Sequence, residues 1–355
     1  MLRYLIHPVF LTAWATVLLV LLLSVFPASA LQAAVRGVSI WWEVLFPALF
    51  PFFVISELLL GFGIVHFFGT LLDPLMRPLF RIPGIGGFVM TMGFASGYPV
   101  GARLTSQIWE QKLINRTEGE RLVAFTTTSD PIFLIGAVSV GFFHNAALAP
   151  VLAAAHYGSA LLVGLLMRYH DRHAPATPLQ HKTDSGSRYN RFSAALIAMH
   201  EARLRDNRPF GKLMTDAIQS ALRLMMVVGG LVVFFSVVME VLSNAGMVSF
   251  LSSFIQSLFV AAGLPERLSD AIINGLFEVT LGAREAGASG GMLIHQAAIA
   301  AWVLSWAGLS VHAQVASLIS RTDMRYKPFL IARLIHSLLS LALVYLLWGW
   351  VGPVV

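Results

Sequence analysis

Long apolar runs separated by short polar turns set the pattern of this chain. Stretches near 9–30, 40–66, 121–143, 146–169, 213–243, 291–311 and 328–351 are each long enough to cross about 30 Å of hydrocarbon as a helix. Two shorter apolar stretches, 84–100 and 268–284, are interrupted by glycine, proline or charge. They read as re-entrant segments rather than spans. The pattern predicts an all-α polytopic membrane protein of about seven spanning helices plus two re-entrant broken segments.

Composition agrees. The chain has 355 residues, 57% of them hydrophobic and 12% charged, and its mean hydropathy is +0.75, far above that of a soluble domain. Cysteine is absent, which excludes a disulfide framework, a thiolate metal site and a cysteine nucleophile. The N-terminus, with Arg3 and His7, an apolar run over 9–26 and then Ala28-Ser29-Ala30, resembles a cleavable leader. Its length favours an uncleaved first span.

The net charge of +6 comes from cations gathered in a few loops, so it points to membrane topology and not to nucleic acid. The polar linker 170–212, flanked by Arg168, carries Arg172, Lys182, Arg188, Arg191, Arg203, Arg205 and Arg208. The positive-inside rule makes it cytoplasmic. From that anchor, 146–169 runs inward and 121–143 outward, beginning on the side of Lys112, Arg116 and Arg121. After the linker, 213–243 runs outward and 291–311 returns. The loop 312–327, with Arg321, Arg325 and Lys327, is again inside.

The two halves share a spacing. Glu57 precedes Gly97 by 40 residues, and Glu240 precedes Thr280 by 40. His156 aligns with His336 at an offset of 180. By the topology above the second copy is upside down, and an inverted repeat is the mark of alternating-access transporters and gates. The division predicted is an N-terminal span and connector over 1–39, a first repeat over 40–169, the basic linker 170–212 and an inverted second repeat over 213–355.

Helix-breaking backbone at membrane depth is tolerated only where protein or a wet cavity surrounds it. "GFASGYPVGAR" is therefore expected inside the protein. It would climb from the cytoplasmic side, unwind around Ser96-Gly97-Tyr98-Pro99, and leave past Gly101 through an amphipathic stretch over 103–115. "INGLFEVTLGARE" would enter from outside, with Asn274 and Glu278 on one helix face and Thr280 and Gly282 at the break. The plainer reading of Glu278 is a cap on a packed loop against Arg284. In "AFTTTSDPIFLIG", Pro131 cannot donate to the carbonyl of Thr127, and that orphan acceptor needs a partner. Thr126, Thr127 and Thr128 could simply back-bond to their own helix. Asp130 is harder to dismiss, because it would lie about 14 Å from the cytoplasmic end at 1.5 Å per residue. The expected solute site combines Ser96, Gly97, Tyr98, Pro99, Gly101, Thr126, Thr127, Thr128, Ser129, Asp130, Asn274, Glu278 and Thr280. Glu57 and Glu240 could be snorkelling interfacial residues. His156 and His336 fit a packing role better than a proton relay.

"GFASGYPVGARLT", "FTTTSDPIFLIGAVSVGFFHN" and "FEVTLGA" resemble the YlbJ family of sporulation integral membrane proteins, over about Trp41 to Trp350. That family lies in the nucleoside-recognition or Gate superfamily, with concentrative nucleoside transporter gates, the FeoB pore and the spore maturation proteins A and B. The resemblance implies a multi-pass protein of the bacterial cell membrane, made in the mother cell and placed around the forespore. It leaves the substrate open, since fold does not fix function. No P-loop is present, so the FeoB energy source is missing.

Two functions follow as expectations. One is a transporter or gate for a small polar solute, nucleoside-like by resemblance. The other is a non-transporting scaffold of the spore envelope. An enzyme is not expected, since neither H-E-x-x-H nor G-x-S-x-G occurs. No cofactor or metal is expected. The partners expected are the lipid bilayer and the solute, with no nucleic acid and with a homo-oligomer left open.

Overall fold

The computed structural model describes residues 8–178, 190–261, 263 and 265–353. Arg3 and His7 of the leader reading, and Lys182 and Arg188 of the linker, lie outside the described residues. Among the described residues the chain is helical, without strands. Four helical segments are long and apolar enough to cross a membrane, namely Ala146–Met167, Phe210–Asn244, Leu293–Ile319 and Tyr326–Val351. Two bent pairs raise the number to six if each counts as one span.

The first bent pair corrects the expected 9–30 span. Helix α1 (Pro8–Val25) ends before Pro27, which has no N–H for the ladder, and α2 (Pro27–Ser39) leaves at an angle of 104°. A π turn, Ile40–Leu45, carries α2 into α3 (Phe46–Gly61). The expected 40–66 span stops at Gly61. Gly63 turns the chain, and α4 (Ile64–Phe80) continues at 82° to α3.

Next come two short helices, α5 (Ile85–Ser96) and α6 (Val100–Glu110), and then α7 (Arg116–Thr126). The start of α7 is fixed by a capping box: Asn115 accepts from the Glu118 N–H, and Glu118 accepts from the Asn115 N–H. A π-helical segment, Phe133–Phe142, follows α7 after a break, and α8 (Ala149–Met167) follows a short turn. The linker is not all loop, because α9 (Arg191–Asp206) packs on α4. The second half holds α10 (Phe210–Asn244), α11 (Met247–Ala261), the short pair α12 (Leu268–Phe277) and α13 (Val279–Ala288), then α14 (Leu293–Trp306), α15 (Gly308–Ile319) and α16 (Tyr326–Val351). Because α15 runs to Ile319, the expected loop over 312–327 shrinks to the residues between α15 and α16.

One end of the molecule is tied by polar side chains from both halves. Glu120, its side chain fully buried, accepts from the Arg325 N–H at 2.9 Å, from Arg325 Nε and Nη2 at 2.8 Å each, and pairs with His170 Nε2 at 2.7 Å. Arg121 donates to the carbonyls of Arg81, His170 and Asp171. The open end of the α5–α6 hairpin lies here, since Asn115 reaches Pro175 O at 2.7 Å. The open end of the α12–α13 hairpin lies at the opposite end, with Gly287 against the backbone of Phe142.

Candidate functional site: four helix breaks

Four interruptions of helix meet at the centre, and the question for each is where its freed backbone groups go. The first is Gly97 to Pro99, between α5 and α6. Gly97 has φ 73° and ψ −169°, a conformation essentially confined to glycine. A Cβ there would stand 2.8 Å from Asp130 N and 2.9 Å from Asp130 Oδ2. A Cβ on Gly101 would overlap the carbonyl of Thr126. The first break thus lies directly on the second.

The second break runs from Thr127 to Pro131. Thr126 and Thr127 do back-bond, to Leu122 O at 2.8 Å and Val123 O at 2.9 Å. Thr128 Oγ1 reaches Gly93 O at 3.4 Å. The carbonyl of Thr127, orphaned by Pro131, accepts from Arg333 Nη1 at 2.5 Å, while Arg333 Nη2 donates to Ala124 O at 2.5 Å. The Ser129 N–H donates to His156 Nε2 at 2.9 Å, and Ser129 O accepts from Tyr157 at 3.0 Å. Asp130 caps the π segment, its Oδ1 accepting from the Phe133 N–H at 2.8 Å. Asp130 is half-buried, and Ser96 beside the first break is buried with its hydroxyl unpartnered among the described residues.

The third break is at Glu278. The sequence pattern places Asn274 and Glu278 on one helix face with the break at Thr280 and Gly282. Instead Glu278 itself is extended, and Thr280 and Gly282 lie inside α13. Its carboxylate caps α13, accepting from the Leu281 N–H at 2.8 Å and from Thr280 Oγ1 at 3.1 Å. The physical reason is local: the first N–H groups of α13 need acceptors, and a buried carboxylate needs donors. Arg284 pairs with Glu285, so it is not the partner of Glu278. Asn274 turns back on its own helix, donating to Asp270 O at 2.9 Å.

The fourth break, at Ala307 and Gly308 between α14 and α15, is not among those the sequence pattern predicts. Both residues have positive φ. A Cβ on Gly308 would stand 2.9 Å from Phe277 O and 3.0 Å from Glu278 Cα, which sets this break against the third. Its carbonyls are also taken up: Leu304 O accepts from the Tyr98 hydroxyl at 2.6 Å, Ser305 O from Arg333 Nη1 at 3.4 Å, and Trp306 O lies 3.1 Å from His312 Nε2. Tyr98 and Arg333 therefore join breaks of opposite halves.

His156 and His336 are both fully buried, with rings 5.0 Å apart. His156 Nδ1 lies 2.9 Å from Ser305 Oγ, and His336 Nε2 lies 2.9 Å from His156 O. His156 thus holds the second break through the Ser129 N–H, and His336 is bonded to the His156 carbonyl. The snorkelling reading fails for Glu57, which is buried enough to pair with Arg103 and to accept from Gln107 at 2.9 Å and Ser220 at 2.8 Å. Glu240 pairs with Arg36 near the surface. Sequence reasoning also passes over Arg333, a lone cation within the apolar run 328–351.

The class of protein is thus a helical integral membrane protein whose polar centre is made of interrupted helices. A family model described as Gate, nucleoside recognition, matches residues 42–156. Sporulation integral membrane protein YlbJ of Bacillus subtilis (strain 168) is 45% identical over 322 residues, covering 91% of this chain and 78% of that protein. The chain belongs to this family of sporulation integral membrane proteins. No solved structure matches it.

Proposed function

We propose that the protein is a gate-type transporter for a small polar solute of nucleoside-like chemistry, acting during endospore formation in a membrane around the forespore. The observation that supports this reading is the convergence of the four breaks, with Tyr98 of the first half holding a helix-end carbonyl of the second and Arg333 of the second half holding helix-end carbonyls of the first. Every such bond satisfies a backbone group in the closed arrangement. Parting the halves would free those same donors and acceptors for a solute carrying hydroxyls and amides.

The two hairpins open toward opposite ends of the molecule. This favours reading 40–169 and 213–355 as inverted repeats that rock about the breaks. The scaffold reading relies on the linker as a docking surface, and α9 is instead packed against α4. The solute would meet Ser96, Tyr98, Ser129 and Asp130 from one side and Glu278 and Thr280 from the other.

Uptake of labelled nucleosides into liposomes, set beside complementation of a Bacillus subtilis strain lacking the relative, tests the proposal. Gly97→Leu and Asp130→Leu are expected to abolish uptake and sporulation with membrane insertion intact. Full sporulation by both variants, at normal protein level, would overturn it.

A further inference from the structure

Arg333 poses a problem in charge. It is fully buried, and among the described residues no carboxylate pairs with it. A buried cation left without compensation is costly in a protein interior and more so at membrane depth. What surrounds it is a set of main-chain carbonyls, Thr127 O at 2.5 Å, Ala124 O at 2.5 Å and Ser305 O at 3.4 Å, with the face of Phe329 at 5.4 Å.

These carbonyls belong to the C-terminal ends of α7 and α14, both cut short by breaks. A helix C-terminus carries a partial charge of roughly −0.5. Two of them together offer about one elementary negative charge, which one guanidinium balances. Unwound carbonyls and half-helix C-terminal ends are the ligands with which discontinuous helices hold monovalent cations. Here a side chain is already in that position.

We propose that Arg333 is a resident cation, occupying the shell of helix-end carbonyls that an exchangeable monovalent cation would otherwise fill. The breaks are then held together without a bound metal ion, and movement of the halves needs no sodium or potassium at this place. This deepens the transporter reading and concerns the same centre, yet the test below does not use uptake. A guanidinium suits the position better than an ammonium, because its planar fork reaches Ala124 O and Thr127 O across the half boundary together with Ser305 O of its own half.

The test is thermal unfolding of the purified full chain in detergent, in choline, sodium or potassium chloride at matched ionic strength, with and without millimolar guanidinium. The wild type is expected to unfold at the same temperature in all of them. Arg333→Ala should unfold earlier, and guanidinium or sodium, but not choline, should restore most of the loss saturably, as a ligand of the folded state does. Arg36→Ala, at an exposed ion pair, should show no such rescue. If the alanine variant cannot be purified, Arg333→Lys against Arg333→Gln decides: the lysine variant should be the more stable and the glutamine variant should gain from sodium. Equal stability of Arg333→Gln and the wild type, absence of cation-specific rescue, or sodium stabilisation of the wild type over choline would each overturn the proposal. Loss of uptake in the liposome assay would leave the resident cation standing, and failure of the cation rescue would leave a positive uptake result intact.

Discussion

At the scale of single residues, the four breaks depend on positions where no side chain fits. Gly97 combines a glycine-only conformation with a neighbour 2.8 Å from where its Cβ would be. Gly97→Ala should therefore cost about 1–3 kcal/mol from backbone strain before the clash is counted. Gly230, within α10 and with nothing within 4 Å of an added Cβ, is the matched control. Gly230→Ala should be neutral or stabilising by up to about 1 kcal/mol, since alanine is the better helix former. Melting temperatures of the two variants in one detergent check this: a clear drop for Gly97→Ala and none for Gly230→Ala. An equal effect would mean that the first break is not the fixed turn described. The same scale shows what a sequence can reveal. The glycines and Asp130-Pro131 announce the first two breaks because they forbid regular helix wherever they occur. Arg333 carries a signal too, a charge inside an apolar run. It stands near the start of that run, just past the basic residues Arg321, Arg325 and Lys327, where an arginine reads as an ordinary positive-inside residue.

At the scale of elements, apolar periodicity locates the helices but not their bends. Pro27 and Gly63 turn α1 and α3 aside by angles that no run of apolar residues encodes. The break at Ala307 and Gly308 is hidden because one glycine in an apolar helix is commonplace; only its seat against Phe277 and Glu278 demands the interruption. The linker reads as loop because its charges mask the apolar face that α9 lays on α4. Where this linker enters α10, Arg208 holds Asp206 through hydrogen bonds at 2.6 and 2.7 Å, and these keep the Asp206 carboxyl below the usual carboxylate range. A lowered folded pKa means stabilisation that is present above the ordinary value of about 4 and lost as pH falls through the folded value. The side chains are 20% and 36% exposed, so screening limits the pair to about 1 kcal/mol or less. Asp206→Asn should lower the melting temperature slightly at neutral pH, and the difference should vanish in acid below the carboxylate range. A difference that grew in acid would contradict the assignment.

At the scale of the whole molecule, the contacts at one end constrain topology without reference to a bilayer. His170 beyond α8 and Arg325 before α16 both bind Glu120 of α7, so the ends of three helices from both halves share one side. Cations crowd that side: Arg81, Arg121, Arg172 and Arg325 all lie within this network. By the positive-inside rule that shared side is expected to be the cytoplasmic one. The turn at 143–146 lies past the far end of the π segment, and by the same contacts it belongs to the opposite side. Because the chain has no cysteine, single substitutions report location without background. Ala146→Cys should react with an impermeant thiol reagent in intact cells, whereas His173→Cys and Asp323→Cys should react only after the membrane is opened. If His173 and Asp323 were labelled from different sides, the Glu120 network would be wrong and the fold with it. If both reacted from outside, the fold would stand but the orientation would invert. The first hairpin, and with it Gly97 and Asp130, would then be approached from the opposite compartment.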